Sequence, residues 1–244
     1  MMGDRHERTK MLIGDEALQT LRNSRVVVFG VGGVGGYAAE ALARSGVGAI
    51  DLIDADDITE SNLNRQIVAL ESTLGKGKAE TAAARIADID PSVKVTLYRV
   101  FYLPESRGDI DFAKFDYVVD AVDTVTAKLD IIEQAALHGV PVISAMGCGN
   151  RLDPSKLQIC DISKTFNDPL AKVMRRKLKD LGIKKLDVVF STELPYKRQD
   201  AEGPAAEDIA AAPGRKDTPA SMIFVPACAG LMMAGHVCRK LAGI

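Results

Sequence analysis

The run Gly30-Val31-Gly32-Gly33-Val34-Gly35-Gly36 constrains this 244-residue chain more than any other stretch. It follows an apolar segment, Val26 to Phe29, and leads into an alanine-rich one, Val34 to Arg44. A β-branched run ending at glycines predicts a buried strand, and the alanines predict a helix, so the loop joins the two. In that context a glycine fingerprint points to a nucleotide rather than to a tight structural turn. Gly30 permits the turn, Gly32 and Gly33 leave room for a phosphate at the backbone, and Gly35 lets helix and strand pack closely. The helix start offers free N–H groups and a positive dipole end to an anion. Asp54 closes the next apolar run, Ala49 to Ile53, where a carboxylate accepts hydrogen bonds from ribose hydroxyls.

The rest of the first half repeats this rhythm. A short helix is expected over Asp15 to Leu21, a helix over Gly77 to Ile89 stopped by Pro91, and a strand over Val93 to Val100. Tyr117 to Val119 predicts a buried strand, Val125 to Leu137 a helix closed by Gly139, and Val140 to Ser144 another strand. Alternating strands and helices imply an α/β fold, a Rossmann-like doubly wound sheet that is mainly parallel. After Asn150 the rhythm changes. Leu157 to Ile162 and Leu186 to Phe190 read as strands that need not be parallel, with a basic helix over Pro169 to Leu181 between them. Ala201 to Pro219, rich in Ala, Pro, Gly and charge, reads as a mobile loop, and Met222 to Val225 as a strand before a helix at Ala227 to Leu241. At this length a single domain is expected, with a nucleotide-binding half (1–150) and a substrate-facing half (151–244).

Composition narrows the function classes. A net charge of -2 gives no global field toward nucleic acid or membrane, so such a partner requires a local patch. The charged stretch Met1 to Lys10 lacks the apolar core of a secretory signal, and Met222 to Gly235 falls short of the roughly 20 residues a bilayer requires. A cytoplasmic protein with no membrane partner is expected. Cys148, Cys160, Cys228 and Cys238 form no C-x-x-C pair, which removes the usual structural zinc spacing, and disulfides are not expected. Cys160 and Cys238 read as small buried hydrophobes; Cys148 and Cys228, set among glycines, stay open.

Most glycine fingerprints bind NAD, but the residues that follow favour a triphosphate. Asp54-Ala55-Asp56, then Asn62-Leu63-Asn64-Arg65-Gln66, then Gly75-Lys76-Gly77-Lys78 set cations close to the loop, as a leaving pyrophosphate demands. Asp123, just past the fourth strand, lies at the carboxyl edge where ligands of open sheets sit, and a carboxylate beside phosphates reads as a Mg²⁺ ligand. Each residue has a plainer reading: Arg65 in a surface ion pair, Lys78 as a charge at a helix start, Asp120 or Asp123 as a helix cap. Taken in order at the ends of successive strands, the functional reading prevails.

This ordered set, from about Arg8 to Asn150, resembles the E1-like superfamily of ATP-dependent activating enzymes, which includes ThiF, MoeB and HesA. The resemblance implies adenylation of a carboxylate by ATP, with Asp54 on the ribose, Asn62, Arg65 and Lys78 on the phosphates and Mg²⁺ on Asp123. It also implies a homodimer in which Arg8 reaches the partner's phosphates, making Arg65, Lys78, Asp123 and Arg8 the catalytic set. Ser144 to Pro154, Asp161 to Arg176 and Val189 to Glu193 look like the tRNA threonylcarbamoyladenosine dehydratase branch. That branch implies ATP-dependent cyclisation of the modified adenosine in tRNA, with a sulfur-relay protein of the cysteine desulfurase or SufE-like kind as a further partner. The alternative is activation of the C-terminus of a ubiquitin-like sulfur carrier, whose activators usually carry two C-x-x-C zinc pairs that are missing here.

One local feature suits RNA. Lys172, Arg175, Arg176 and Lys179 share a helical face opposite Leu170, Met174, Leu178 and Leu181. From Leu170 to Lys185 seven basic residues face one acid, a segment of +6 in a chain of -2. A basic stripe on an otherwise acidic protein is the electrostatic footprint of a phosphate backbone, although a solvated amphipathic helix has the same pattern.

Overall fold

In the computed structural model, which describes residues 4–108, 110–196 and 219–244, one seven-stranded sheet carries the chain. The valine run forms β1 (Arg25–Phe29), flanked by β2 (Ala49–Ile53) and β4 (Tyr117–Asp120). β3 (Lys94–Tyr98) closes one edge, and β5 (Val142–Ala145), β7 (Asp187–Ser191) and β6 (Leu157–Asp161) extend the other, giving the order β3-β2-β1-β4-β5-β7-β6. All neighbours pair in parallel except β6 with β7, which are antiparallel. The mainly parallel Rossmann-like sheet is thus present, and the change of rhythm after Asn150 corresponds to β7 slotting between β5 and β6.

β1 is a continuous apolar run because both of its faces are covered. Val26 and Val28 enter a core shared with α2 (Gly35–Ser45), α3 (Lys78–Ile89) and α6 (Phe224–Ala242), whereas Val27 and Phe29 face α4 (Val125–Leu137) and the aromatics Tyr102, Phe112 and Phe115. A third cluster joins α4 and the basic helix α5 (Pro169–Asp180) to β7. Inside β2, Asp51 is fully buried, where Arg25 donates to its two oxygens at 2.9 Å each and to Thr96 Oγ1 at 3.0 Å, tying three strands together. Register brings strand ends into line: Phe29 pairs with Ile53 and with Asp120, and Asp120 with Ser144. The residues that follow these strands therefore share one carboxyl edge. The order reverses between β1 and β4, the crevice where open α/β sheets bind ligands.

Two expectations are corrected. The N-terminal helix is longer than Asp15 to Leu21: α1 runs over Glu7–Asn23 with a break at Gly14, whose φ of 83° and ψ of 168° leave helical space. Met222 to Val225 is not a strand, because α6 already starts at Phe224 and takes Pro226 into its first turn, where no N–H donor is missed. The expected loop over Ala201 to Pro219 lies outside the described residues up to 218. Among the described residues no helix is long and apolar enough to cross a membrane.

Candidate nucleotide and substrate site

The glycine loop has the geometry a phosphate cradle requires. Gly30 has φ of 83°, and a Cβ there would come 2.9 Å from Ala121 O, so both backbone and packing demand glycine. A Cβ at Gly35 would lie 1.8 Å from Gly30 O, which is the close approach of helix to strand. At Gly32, by contrast, the nearest protein atom would be Gln66 Nε2 at 3.9 Å, and the space is open. A Cβ at Gly33 would meet Arg65 Cγ at 3.5 Å, so that side chain lies over the loop. α2 then begins with no side-chain cap and no acid in its first turn, which leaves its dipole end to an incoming anion.

Asp54 sits beside this loop. Its carboxylate accepts from Val31 N at 2.6 Å and from Asp56 N at 2.8 Å, fixing the loop to the end of β2. Burial pushes its carboxyl above the usual range, against the pull of those two donors. Lys78, buried at the start of α3, donates to Asp56 Oδ2 at 2.8 Å, so its charge is held in place rather than idle at a helix start. Asn62 is buried as well, and its Oδ1 takes Thr59 N at 3.1 Å while its carbonyl takes Arg65 N and Gln66 N. Arg65 makes no ion pair among the described residues; it donates to Ser61 O at 2.8 Å and Asn64 Oδ1 at 2.9 Å. Gln66 Oε1 is buried without a hydrogen-bond partner, which marks a group open to a ligand.

Asp123 is exposed after β4, and neither it nor Asp120 caps α4, whose N-cap is Thr124. Asp120 has a different task that the sequence reading missed. Its Oδ2 takes Lys128 Nζ at 2.9 Å and Ser144 Oγ at 2.5 Å, and its Oδ1 takes Val122 N at 3.3 Å. Asp120, Lys128 and Ser144 are all fully buried, so an ion pair braces the turn that carries Asp123 and packs Ala121 over Gly30. The signal was present: Lys128 stands at i−3 and i−4 from Ile131 and Ile132, on the apolar face of its helix, where an unpaired lysine is almost never buried.

A single carboxylate, Asp123, fits a Mg²⁺ ion held chiefly by phosphates and water, and the described residues contain no cluster of three or more His, Cys, Asp or Glu that would hold a metal alone.

Arg8 is not brought to this chain's own cations. It is exposed two residues after His6, whose Nε2 lies 3.0 Å from Asp90 Oδ2 at the amino edge of the sheet. A five-residue strand, roughly 17 Å, separates the two edges. The basic stripe is partly corrected: Lys172, Arg176 and Lys179 are exposed, but Arg175 is half-buried and donates to Thr165 O at 2.8 Å. α5 starts close to the site, since its N-cap Asp168 accepts from Gly147 N at 3.0 Å, just past β5. All four cysteines are free and half-buried, so Cys160 and Cys238 are less enclosed than expected. Burial, followed by the charge of Asp168, pushes the Cys148 thiol up to about 12, far from a reactive thiolate. Arg151, in the loop after β5, was also missed.

The model of the ThiF family matches residues 6–244. The tRNA threonylcarbamoyladenosine dehydratase of Bacillus subtilis is 48% identical over 96% of this chain and 93% of its own length. The protein of that name from Escherichia coli K12 is 38% identical over 96% of this chain and 91% of its own length. The crystal structure of the E. coli enzyme TcdA in complex with ATP superposes with a TM-score of 0.84 at 34% identity, covering 100% of this chain and 97% of that one.

Proposed function

Because the chain belongs to the ThiF family, in its tRNA threonylcarbamoyladenosine dehydratase branch, we infer that it uses ATP to dehydrate N6-threonylcarbamoyladenosine in tRNA. The threonyl carboxylate attacks the α-phosphate of ATP, and pyrophosphate leaves. A nitrogen or oxygen of the same modification then attacks the acyl adenylate, expelling AMP and closing a ring. The elements of one water depart in AMP and pyrophosphate. Activation is necessary because a carboxylate oxygen is a very poor leaving group, whereas AMP is a good one. Since the attacking atom is already tethered to the carbonyl, no enzyme nucleophile is required.

The chain's residues bind, orient and neutralise. The glycine loop and the open start of α2 receive phosphate. Asp54, steadied by Val31 N, holds the ribose, and Asn62 and Gln66 line the same crevice. Arg65, with Asn64 and Ser61 as its only described partners, and Lys78, paired with Asp56, meet charge that grows on the leaving pyrophosphate. Bound Mg²⁺ would add Lewis-acid stabilisation of that charge, with Asp123 as its protein ligand.

The site is completed across a homodimer, Arg8 serving the partner subunit. Met11 and Leu12 of α1, 80% and 84% exposed, and Phe224 and Leu231 of α6 present apolar surface that supports such an interface. The exposed cations of α5, Lys172, Arg176 and Lys179, lead the tRNA backbone toward the helix start beside Gly147. A cytoplasmic setting accords with a tRNA substrate, and a sulfur-relay protein is a further partner of this reading.

The observation that carries the reading is the glycine loop, Asp54, Arg65 and Lys78 gathered at one crevice, in a chain that matches an ATP-bound dehydratase from end to end. Labelled ATP tests it. AMP and pyrophosphate should form with tRNA carrying the modification and not with tRNA lacking it. Stimulation by a ubiquitin-like protein with a Gly-Gly tail instead would replace the reading with carrier activation.

A further inference from the structure

The loop after β5 holds a charged group that the proposed chemistry leaves unused. Arg151 is 3% exposed. Its Nη2 donates to Asn167 O at 2.7 Å, but Nε and Nη1 are buried with no hydrogen-bond partner. The two acids whose charges act on it are engaged elsewhere. Asp168 accepts from Gly147 N and Ala171 N at 3.0 and 2.9 Å, and Glu193 accepts from Leu152 N and Asp153 N at 3.0 and 3.1 Å. Burial lowers the Arg151 pKa against those charges, yet a guanidinium stays protonated, so a cation with open donors is enclosed in the fold. Such a group is among the least favourable a protein can hold unless something arrives to satisfy it.

Its position is tied to the nucleotide crevice through hydrogen bonds. Arg65 Nη1 donates to Asn64 Oδ1, Asn64 Nδ2 donates to Ser221 O at 2.9 Å, and the preceding residue, Ala220, exchanges two bonds with Asn150 at 2.7 and 2.9 Å. Arg151 thus lies one residue beyond a chain of contacts that begins at the phosphate-binding cation. As the loops lie, Nε and Nη1 are shut from solvent, so a ligand reaches them only when neighbouring groups move aside. Asn150, which precedes Arg151, and Asn167, which supplies the carbonyl for Nη2, both have φ of 56°, the left-handed region that asparagine adopts more readily than other side-chain-bearing residues.

We propose that Arg151 is the residue that anchors an anionic oxygen of the tRNA substrate, either the threonylcarbamoyl carboxylate or the neighbouring phosphodiester, when the 146–152 loop makes room. The proposal rests on the dehydratase reading. It assigns Arg151 to binding of the acceptor, separate from binding of ATP.

Arg151→Gln and Arg151→Lys in the full chain test it, with melting temperature, ATP affinity by calorimetry, and kcat and KM for modified tRNA as readouts. Arg151→Gln should keep ATP affinity and melt close to the wild-type temperature, because the enclosed cation with open donors is removed while Asp168 loses a favourable charge. Its KM for modified tRNA should rise roughly 10- to 100-fold, the size of a lost charge-assisted hydrogen bond. Arg151→Lys should recover part of that loss as a point charge without the planar fork. If the carboxylate is the ligand, affinity falls only for tRNA bearing the modification. If the phosphodiester is, affinity falls for unmodified tRNA too, and the salt dependence of binding weakens by about one ion. An unchanged KM would overturn the proposal in favour of ordered water on the two nitrogens, and a lower melting temperature with weaker ATP binding would overturn it in favour of a structural arginine. A wild-type protein without tRNA-dependent turnover would remove the dehydratase reading and this proposal with it, whereas normal wild-type turnover with an indifferent Arg151→Gln would remove this proposal alone.

Discussion

Replacing Lys128 with Met tests whether the buried pair under the nucleotide crevice holds the site together. Lys128 and Asp120 have no solvent exposure, and the ammonium lies 2.9 Å from Asp120 Oδ2 and 3.2 Å from Ser144 Oγ. Methionine fills nearly the same volume, so the change isolates the charge. What remains is a carboxylate in the core with, among the described residues, only Ser144 Oγ and Val122 N as donors. Removing one partner of a buried pair costs about 3–5 kcal/mol. For a chain of this size each kcal/mol shifts the melting temperature by about 2–4 °C, so Lys128→Met should melt roughly 6–20 °C lower. The effect should extend to function, because Asp120 steadies the turn that lays Ala121 against Gly30, and ATP affinity should fall with stability. The double variant Lys128→Met with Asp120→Asn, which leaves no charge in the core, should recover at least about half of the lost stability. Scanning calorimetry on the four proteins of this cycle measures it. A single variant that melts within about 2 °C of wild type, or a double variant no better than the single, would refute the reasoning.

Other positions give separate expectations. Arg65→Ala should lower the rate of pyrophosphate release by about 10²–10³-fold while circular dichroism and melting stay unchanged, because among the described residues the side chain's hydrogen bonds go only to Ser61 O and Asn64 Oδ1. Gly35→Ala should lose both fold and ATP binding, its Cβ lying 1.8 Å from Gly30 O, whereas Gly32→Ala should fold normally and lose ATP affinity alone; thermal melts with and without ATP separate the two. Burial alone would raise the Asp90 carboxyl, but hydrogen bonds from Ser92 and His6 and the charge of Arg5 outweigh it and lower its pKa to about 2. A depressed carboxyl stabilises the fold above its unfolded value and loses that contribution as pH falls through the folded value. Acid titration should therefore show about 2 kcal/mol disappearing between roughly pH 4 and pH 2, and Asp90→Asn should lack that component.

The sequence made the nucleotide half legible because each signal there is local. Gly30 and Gly35 are glycines for reasons set within one strand–loop–helix unit, and the valines of β1 announce a strand covered on both faces. The parts that stayed hidden depend on distant pairing. Nothing in Leu157 to Phe190 reveals that β7 lies between β5 and β6, since strand order follows from how α5 packs on α4. Met222 to Val225 is apolar enough for a strand, but Pro226 fits a first helical turn equally well, and the packing of α6 on α2 decides. Lys128 and Arg151 were passed over for a related reason. The apolar face of its helix hints that Lys128 is enclosed but not by which carboxylate, and an arginine in a loop reads as a surface residue until the fold encloses it with two nitrogens unpartnered.

Mass analysis of nucleosides, from tRNA bearing threonylcarbamoyladenosine after incubation with the protein, ATP and Mg²⁺, tests the central claim most directly. The account predicts that this nucleoside becomes lighter by about 18 mass units, in step with AMP formed, and only when ATP is supplied. AMP release with the nucleoside mass unchanged would contradict it.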